Sequence, residues 1–209
     1  MLRGFAEEYG LETDMFFTGF DVAGDGSDIV AVANAIYEAY HDNQTAARNY
    51  VWSQYFGYPT VYNEAWCCAF VYSCAQACGY VGEGNIFGPK TAGCCVAWNT
   101  FETMGRTTRD PSYVPQPGDL IFYRDEDGRP GQDHIGIVEY CDENGMVHTI
   151  EGNSLSKCTY QAAAGSRVWF NTSKNCWRIV YGYACPQYPQ HTTPTPDPSP
   201  TPTPVPSES

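Results

Sequence analysis

Residues 134–153 read HIGIVEYCDENGMVHTIEGN, and this stretch decides the fold class. HIGIVEY (134–140) and GMVHTIEG (145–152) are short and rich in Ile and Val. The turn-forming residues at 142–145 separate them, so they read as two strands of one hairpin. Working outward, DLIFY (119–123), SRVWF (166–170) and WRIVYGYA (177–184) carry the same β-branched and aromatic texture between Gly, Asn, Asp and Ser. Upstream the period changes. Ile29, Val32, Ala33, Ile36 and Tyr40 recur at helical spacing after the GDGSD turn, where Ser27 or Asp28 is the expected cap. A second helix is expected from about 63–65 through WCCAFVYSCAQAC to Gly79, with Cys67, Phe70, Val71, Cys74 and Cys78 on one face. A third is expected over 91–104, with Cys94, Trp98 and Phe101 inward. Helices first and strands second is an α+β arrangement, N-terminal helices packed on a C-terminal antiparallel sheet.

The composition bounds what such a domain does. The chain has 209 residues, 43% hydrophobic and 15% aromatic, enough for one domain with a core. Its formal net charge of −13 argues against nucleic-acid binding, which needs a basic face. No apolar run is long enough to span a bilayer. Ten cysteines favour an oxidising, extracytoplasmic setting, so the protein is expected to be secreted. Structural zinc is the rival, but no C-x-x-C pair occurs. Cys158 with Cys176, and Cys141 with Cys185, are the expected disulfides. The start, MLRGFAEEYG, lacks an apolar signal-peptide core, so a leader has been removed or another export route is used. The expected organisation is an N-terminal arm (1–26), a catalytic domain (27–188) and a Pro/Thr-rich linker or tail (189–209). The tail reads as a stalk to a further module or as a plain disordered end.

The chemistry starts at the second helix. Cys67 and Cys68 fall in its first turn, where unpaired N–H groups and the helix dipole favour a thiolate and can hold an oxyanion. On helix position alone, both also read as small packing residues. Of the four histidines, at 41, 134, 148 and 191, His134 opens a strand at a loop mouth and is the candidate base. His148 reads as an ordinary strand histidine. An imidazole base needs an orienting partner, and Glu151 and Asn153 end the next strand. Alternation puts those two on one face and His148 on the other, so the hairpin brings Glu151 and Asn153 beside His134.

The runs EAWCCAFV, PQPGDLIFY, DHIGIVEY and TIEGNS, in that order, resemble the CHAP family of cysteine, histidine-dependent amidohydrolases and peptidases. The likeness spans roughly residues 27–184. It implies a papain-like fold and hydrolysis of peptidoglycan, with Trp66, Cys67, Phe70 and Val71 matching the family's nucleophile motif. By the same resemblance His134 is the family histidine, and Glu151 and Asn153 are its acidic and amide members. The doubled cysteine departs from the pattern, which assigns the nucleophile to Cys67. The related NlpC/P60 group fits less well, having Asp before the cysteine and a histidine as third member.

The resemblance implies no cofactor, leaves amidase and endopeptidase activity both open, and makes bacterial peptidoglycan the partner. A monomer is expected, with wall targeting by a further module. Tyr55 and Trp66 are candidates for the oxyanion site or groove. Calcium is weighed at the acidic loop of Asp125, Glu126, Asp127 and Asp133, but the EF-hand spacing is absent and a solvated hairpin is expected, so no metal is assigned. The rivals are a non-catalytic wall-binding module and a secreted cysteine protease acting on proteins.

Overall fold

The computed structural model describes residues 26–189. The expected arm at 1–26 and tail at 189–209 lie outside these apart from one boundary residue each. Helix α1 (Ser27–Tyr40) buries Ile29, Val32, Ala33, Ile36 and Tyr40, the stripe that its periodicity predicts. The cap differs from expectation. Gly26 takes the N-cap position at φ 81°, and no side chain caps the helix. A Cβ there would lie 2.4 Å from the Pro117 carbonyl oxygen, so close approach of the 117–118 turn requires glycine.

Helix α2 (Gln44–Phe56) was not expected from the sequence. The Asn43 side chain accepts from Ala46 N–H at its start, and Gly57 closes it at φ 81°. Its buried face is Ala46, Ala47, Tyr50, Val51 and Trp52. Helix α3 (Cys67–Ala77) starts later than expected, with Trp66 at the N-cap. Helix α4 (Cys94–Thr103) starts at Cys94 rather than near Thr91, because Gly93 is still extended. Ala97, Trp98 and Phe101 form its buried face, whereas Cys94 is only half-buried.

The sheet comprises β1 (Thr107–Thr108), β2 (Leu120–Asp125), β3 (His134–Cys141), β4 (Met146–Glu151), β5 (Ser156–Gln161), β6 (Arg167–Asn171) and β7 (Cys176–Ala184). Its order is β1-β7-β2-β3-β4-β5, with β6 also on β7, and every pair is antiparallel. The fold is therefore α+β, helices packed on an antiparallel sheet. The five expected strands are β2, β3, β4, β6 and β7; β1 and β5 are additional.

One face of the sheet gives Leu120, Phe122, Ile135, Ile137 and Ile150 to the core shared with the helices. The other carries a smaller cluster that includes Ile121, Tyr123, Val138, Val147, Val180 and Tyr183. Burial on both faces explains the near-continuous apolar runs of β2 and β3. Among the described residues no helix is long and apolar enough to cross a membrane.

All ten cysteines are free, so the expected Cys158–Cys176 and Cys141–Cys185 bridges are not formed. Each of these side chains is engaged elsewhere or placed on a different ladder. The Cys158 sulfur lies 3.4 Å from Ser156 Oγ, and Cys176 pairs with Asn171 across the β6–β7 ladder. The Cys141 thiol turns to the Asp142 carbonyl, and that of Cys185 to the Tyr113 hydroxyl. Sequence spacing carries no information about which sulfurs meet.

Candidate active site

The site forms where the start of α3 meets the open ends of β3 and β4. Gly152, just past β4, lets the backbones touch: a Cβ there would lie 2.9 Å from Phe70 Cβ and 3.0 Å from Cys67 Cα. The next residue, Asn153, turns to φ 70°. Its Oδ1 accepts from the backbone N–H of Trp66 at 2.5 Å and of Cys67 at 3.0 Å. These belong to the group of N–H donors that a helix start leaves without intrahelical acceptors. Asn153 therefore caps the nucleophile-bearing helix from another part of the chain. This corrects the expectation that it orients the imidazole, and also the expectation that the Cys67 N–H is free to hold an oxyanion.

Glu151 lies opposite Gly136 in the β3–β4 ladder. His134, two residues from Gly136, shares its face of β3. The bare Gly136 leaves room for the carboxylate side chain, whose Cγ would stand 2.8 Å from a Cβ at that position. Glu151 thus reaches diagonally to His134, with Oε2 accepting from Nε2 at 2.8 Å. Its other oxygen accepts from the Tyr123 hydroxyl at 2.5 Å and the Thr149 hydroxyl at 2.7 Å. A buried carboxylate with donors on both oxygens is fixed in position and in charge. Tyr123 and Thr149 escaped the sequence analysis. Thr149 stands two residues before Glu151, which was a legible parity signal; Tyr123 is placed by strand pairing alone.

With Nε2 on Glu151, the second nitrogen of His134, Nδ1, is buried and has no hydrogen-bond partner. The Cys67 thiol interacts with the same imidazole. The structure thus brings Cys67, His134 and Glu151 into one chain of contacts. His148 stands apart: it stacks on Tyr140 at 4.1 Å and faces Asp142 and Thr159.

Charge follows from these contacts. Burial pushes the Glu151 carboxyl up, but His134, Tyr123 and Thr149 together bring it below the ordinary carboxylate value. Burial draws the His134 imidazole down, yet Cys67 and Glu151 outweigh it and hold the group at about 10. The Cys67 thiol is pushed up, first by the Cys94 thiol and then by burial, against the opposing pull of His134. The position of Cys67 in the first turn had suggested a depressed thiol, and the neighbouring sulfur reverses that.

Two weaker candidates sit differently from expectation. Trp66 is 4% exposed, its ring packed edge-on to Phe70, so it shapes the start of α3 rather than lining a groove. Tyr55 lies in α2 with its ring against Trp52 and the Lys90 ammonium over it. A cleft of about 320 Å³ opens beside His134 and Glu151, with Tyr160, Trp169 and Arg178 on its walls. Cys67 is not in its lining; the cleft reaches the base and carboxylate side of the site.

The acidic loop is not a solvated hairpin throughout. Asp125, Asp127 and Asp133 place ligand atoms within 4.8 Å of one another. Lys174 Nζ lies 2.7 Å from Asp125, 3.5 Å from Asp127 and 2.9 Å from Asp133, so an ammonium stands where a cation would bind. Arg178 adds bonds of 2.7 and 3.2 Å to Asp125. Burial pushes the Asp125 carboxyl up, but these two cations overcome it and hold the group at about 2.

The family model of the CHAP domain matches residues 54–153, a span that runs from just before Tyr55 to Asn153. No curated protein and no solved structure matches the chain.

Proposed function

Residues 54–153 belong to the CHAP domain family, whose members are hydrolases of amidase and peptidase type, and on that premise we propose that this protein cleaves an amide bond in bacterial cell-wall peptide. His134 takes the Cys67 thiol proton as Sγ attacks the carbonyl carbon. The tetrahedral intermediate collapses as His134 gives that proton to the leaving amine. Water then attacks the thioester with His134 as base, releasing the carboxylate product. Glu151 keeps the imidazole in orientation and stabilises its positive charge throughout. Asn153 holds the helix that aims the sulfur. With the Trp66 and Cys67 N–H groups taken by Asn153, the first-turn donors left for the oxyanion are those of Cys68 and Ala69.

The observation that carries this reading is the buried, unpartnered Nδ1 of an imidazole whose Nε2 is fixed on a carboxylate. A wall-binding module without catalysis has no use for such an arrangement. We take the setting to be extracytoplasmic, the chain to act as a monomer, and wall targeting to belong to a module beyond the tail.

Digestion of purified peptidoglycan, followed by mass spectrometry of the soluble muropeptides, tests the proposal. Release by the wild-type chain but not by Cys67→Ala is the expected result. The new ends distinguish the amidase from the endopeptidase. Casein cleavage without muropeptide release would favour the protein-protease reading, and no release by a folded chain would favour the binding module.

A further inference from the structure

The nucleophile candidate has a second sulfur beside it that the hydrolytic scheme does not use. Cys67 Sγ lies 3.6 Å from Cys94 Sγ. Each cysteine is the first residue of its helix, α3 and α4 respectively, so two helix N-termini converge on the pair. Disulfide bonding requires closure to about 2.05 Å, a movement of about 1.5 Å. Cys94 is half-buried whereas Cys67 is 4% exposed, so Cys94 is the thiol that an external reagent meets first. Cys68, one position further along α3, points its thiol to the Thr91 carbonyl at 3.5 Å.

We propose that Cys67 and Cys94 form a reversible disulfide, with Cys94 serving as the resolving thiol. Its effect on activity rests on Cys67 being the nucleophile; the bond itself does not. The oxidant is a low-molecular-weight disulfide, for which oxidised glutathione is the working example. The Cys94 thiolate attacks one glutathione sulfur, the glutathione disulfide breaks, and one glutathione thiolate leaves. Cys67 then attacks the Cys94 sulfur of the mixed disulfide, and a second glutathione thiolate leaves. Two electrons pass from the protein to the oxidant, and the two protons lost by the protein thiols end on the two glutathione molecules. Reduction by a dithiol reverses both steps. The bridge takes up the lone pair with which Cys67 attacks carbonyl carbon, and it keeps that sulfur from irreversible oxidation to the sulfinic acid.

The test equilibrates the full chain in glutathione redox buffers at fixed pH, then reads linked peptides by non-reducing mass spectrometry and wall hydrolysis in parallel. A Cys67–Cys94 peptide is expected to accumulate as activity falls by roughly tenfold or more, with dithiothreitol restoring both. At constant ratio of reduced to oxidised glutathione, the midpoint should move with total glutathione, because closing the bridge releases two molecules. In Cys94→Ser the linked peptide should vanish and any remaining inactivation should depend on the ratio alone, the mark of a mixed disulfide. Cys68→Ala should keep the bridge, which covers the case in which the serine variant fails to fold. A Cys68–Cys94 link, or no link at any ratio, overturns the proposal. A bridge in a chain that never releases muropeptides would sink the hydrolase reading alone, whereas an active chain without a bridge would sink the switch alone.

Discussion

Replacing Asn153 separates its two tasks, since its side chain caps α3 and its backbone adopts φ 70°. Asn153→Gly removes both hydrogen bonds and keeps the left-handed backbone. Each bond is worth about 1 kcal/mol net, and water replaces part of the loss at this exposed residue, so about 1–2 kcal/mol should go. Asn153→Ala loses the same bonds and adds about 1 kcal/mol or more for a Cβ in the left-handed region. Asn153→Asp keeps the acceptor and places a charge at the positive end of the helix, for a gain of about 0.3–1 kcal/mol. The expected order of stability is therefore Asp, Asn, Gly, Ala, read by urea denaturation with unchanged slope. For a domain of this size each kcal/mol moves the melting temperature by about 2–4 °C. A Gly variant as stable as wild type would refute the cap, and equal losses in Gly and Ala would refute the cost of the left-handed backbone. A shift in the pH–rate profile of the Gly variant would restore the imidazole-orienting role to Asn153.

Four further outcomes follow from the same geometry. Alkylation of Cys67 by iodoacetamide should reach half-maximal rate above the free-thiol value of about 8.5, and a midpoint below 7 would contradict the influence of Cys94. The raised His134 contributes stability in full below its ordinary 6.5 and loses it as pH rises through about 10; Glu151→Gln should flatten that decline, and an unchanged pH–stability curve counts against the pair. Gly136→Ala drives a methyl group into Glu151 and should cost about 1–3 kcal/mol together with most of the turnover, whereas a silent variant would show that the carboxylate has room to move. His134→Ala should abolish hydrolysis in a folded chain while His148→Ala leaves turnover intact, and the reverse pattern would overturn the assignment of the base.

What could be read in advance was whatever depended on local period. The pairing of β3 with β4 needed only the turn, whereas the register shift between Val138 and Tyr140 that sets Glu151 opposite Gly136 has no local signal. The helix that carries Cys67 was visible as an apolar run of helical period, although it starts at Cys67 and not at 63–65. Helix α2 was missed because small residues and mixed polarity blurred its buried face, although Asn43 and Gly57 bracket it as cap and stop. Strand β5 escaped because a half-exposed edge segment of polar residues looks like loop. Asn153 was misread because parity was extended past the point where β4 ends. Cys94 and Tyr123 reach the site across long chain separations, which no local pattern encodes.

Glu151 and Asn153 are two residues apart on one chain, a reach of at most about 7 Å. One grips the base and the other grips the helix that bears the sulfur. The gap between nucleophile and base is therefore gauged by a covalent tripeptide, like the fixed jaws of a caliper, rather than by how tightly the helical layer sits on the sheet. Breathing between the layers carries both jaws together. An extra glycine between Glu151 and Asn153 would put the sulfur and the imidazole out of step.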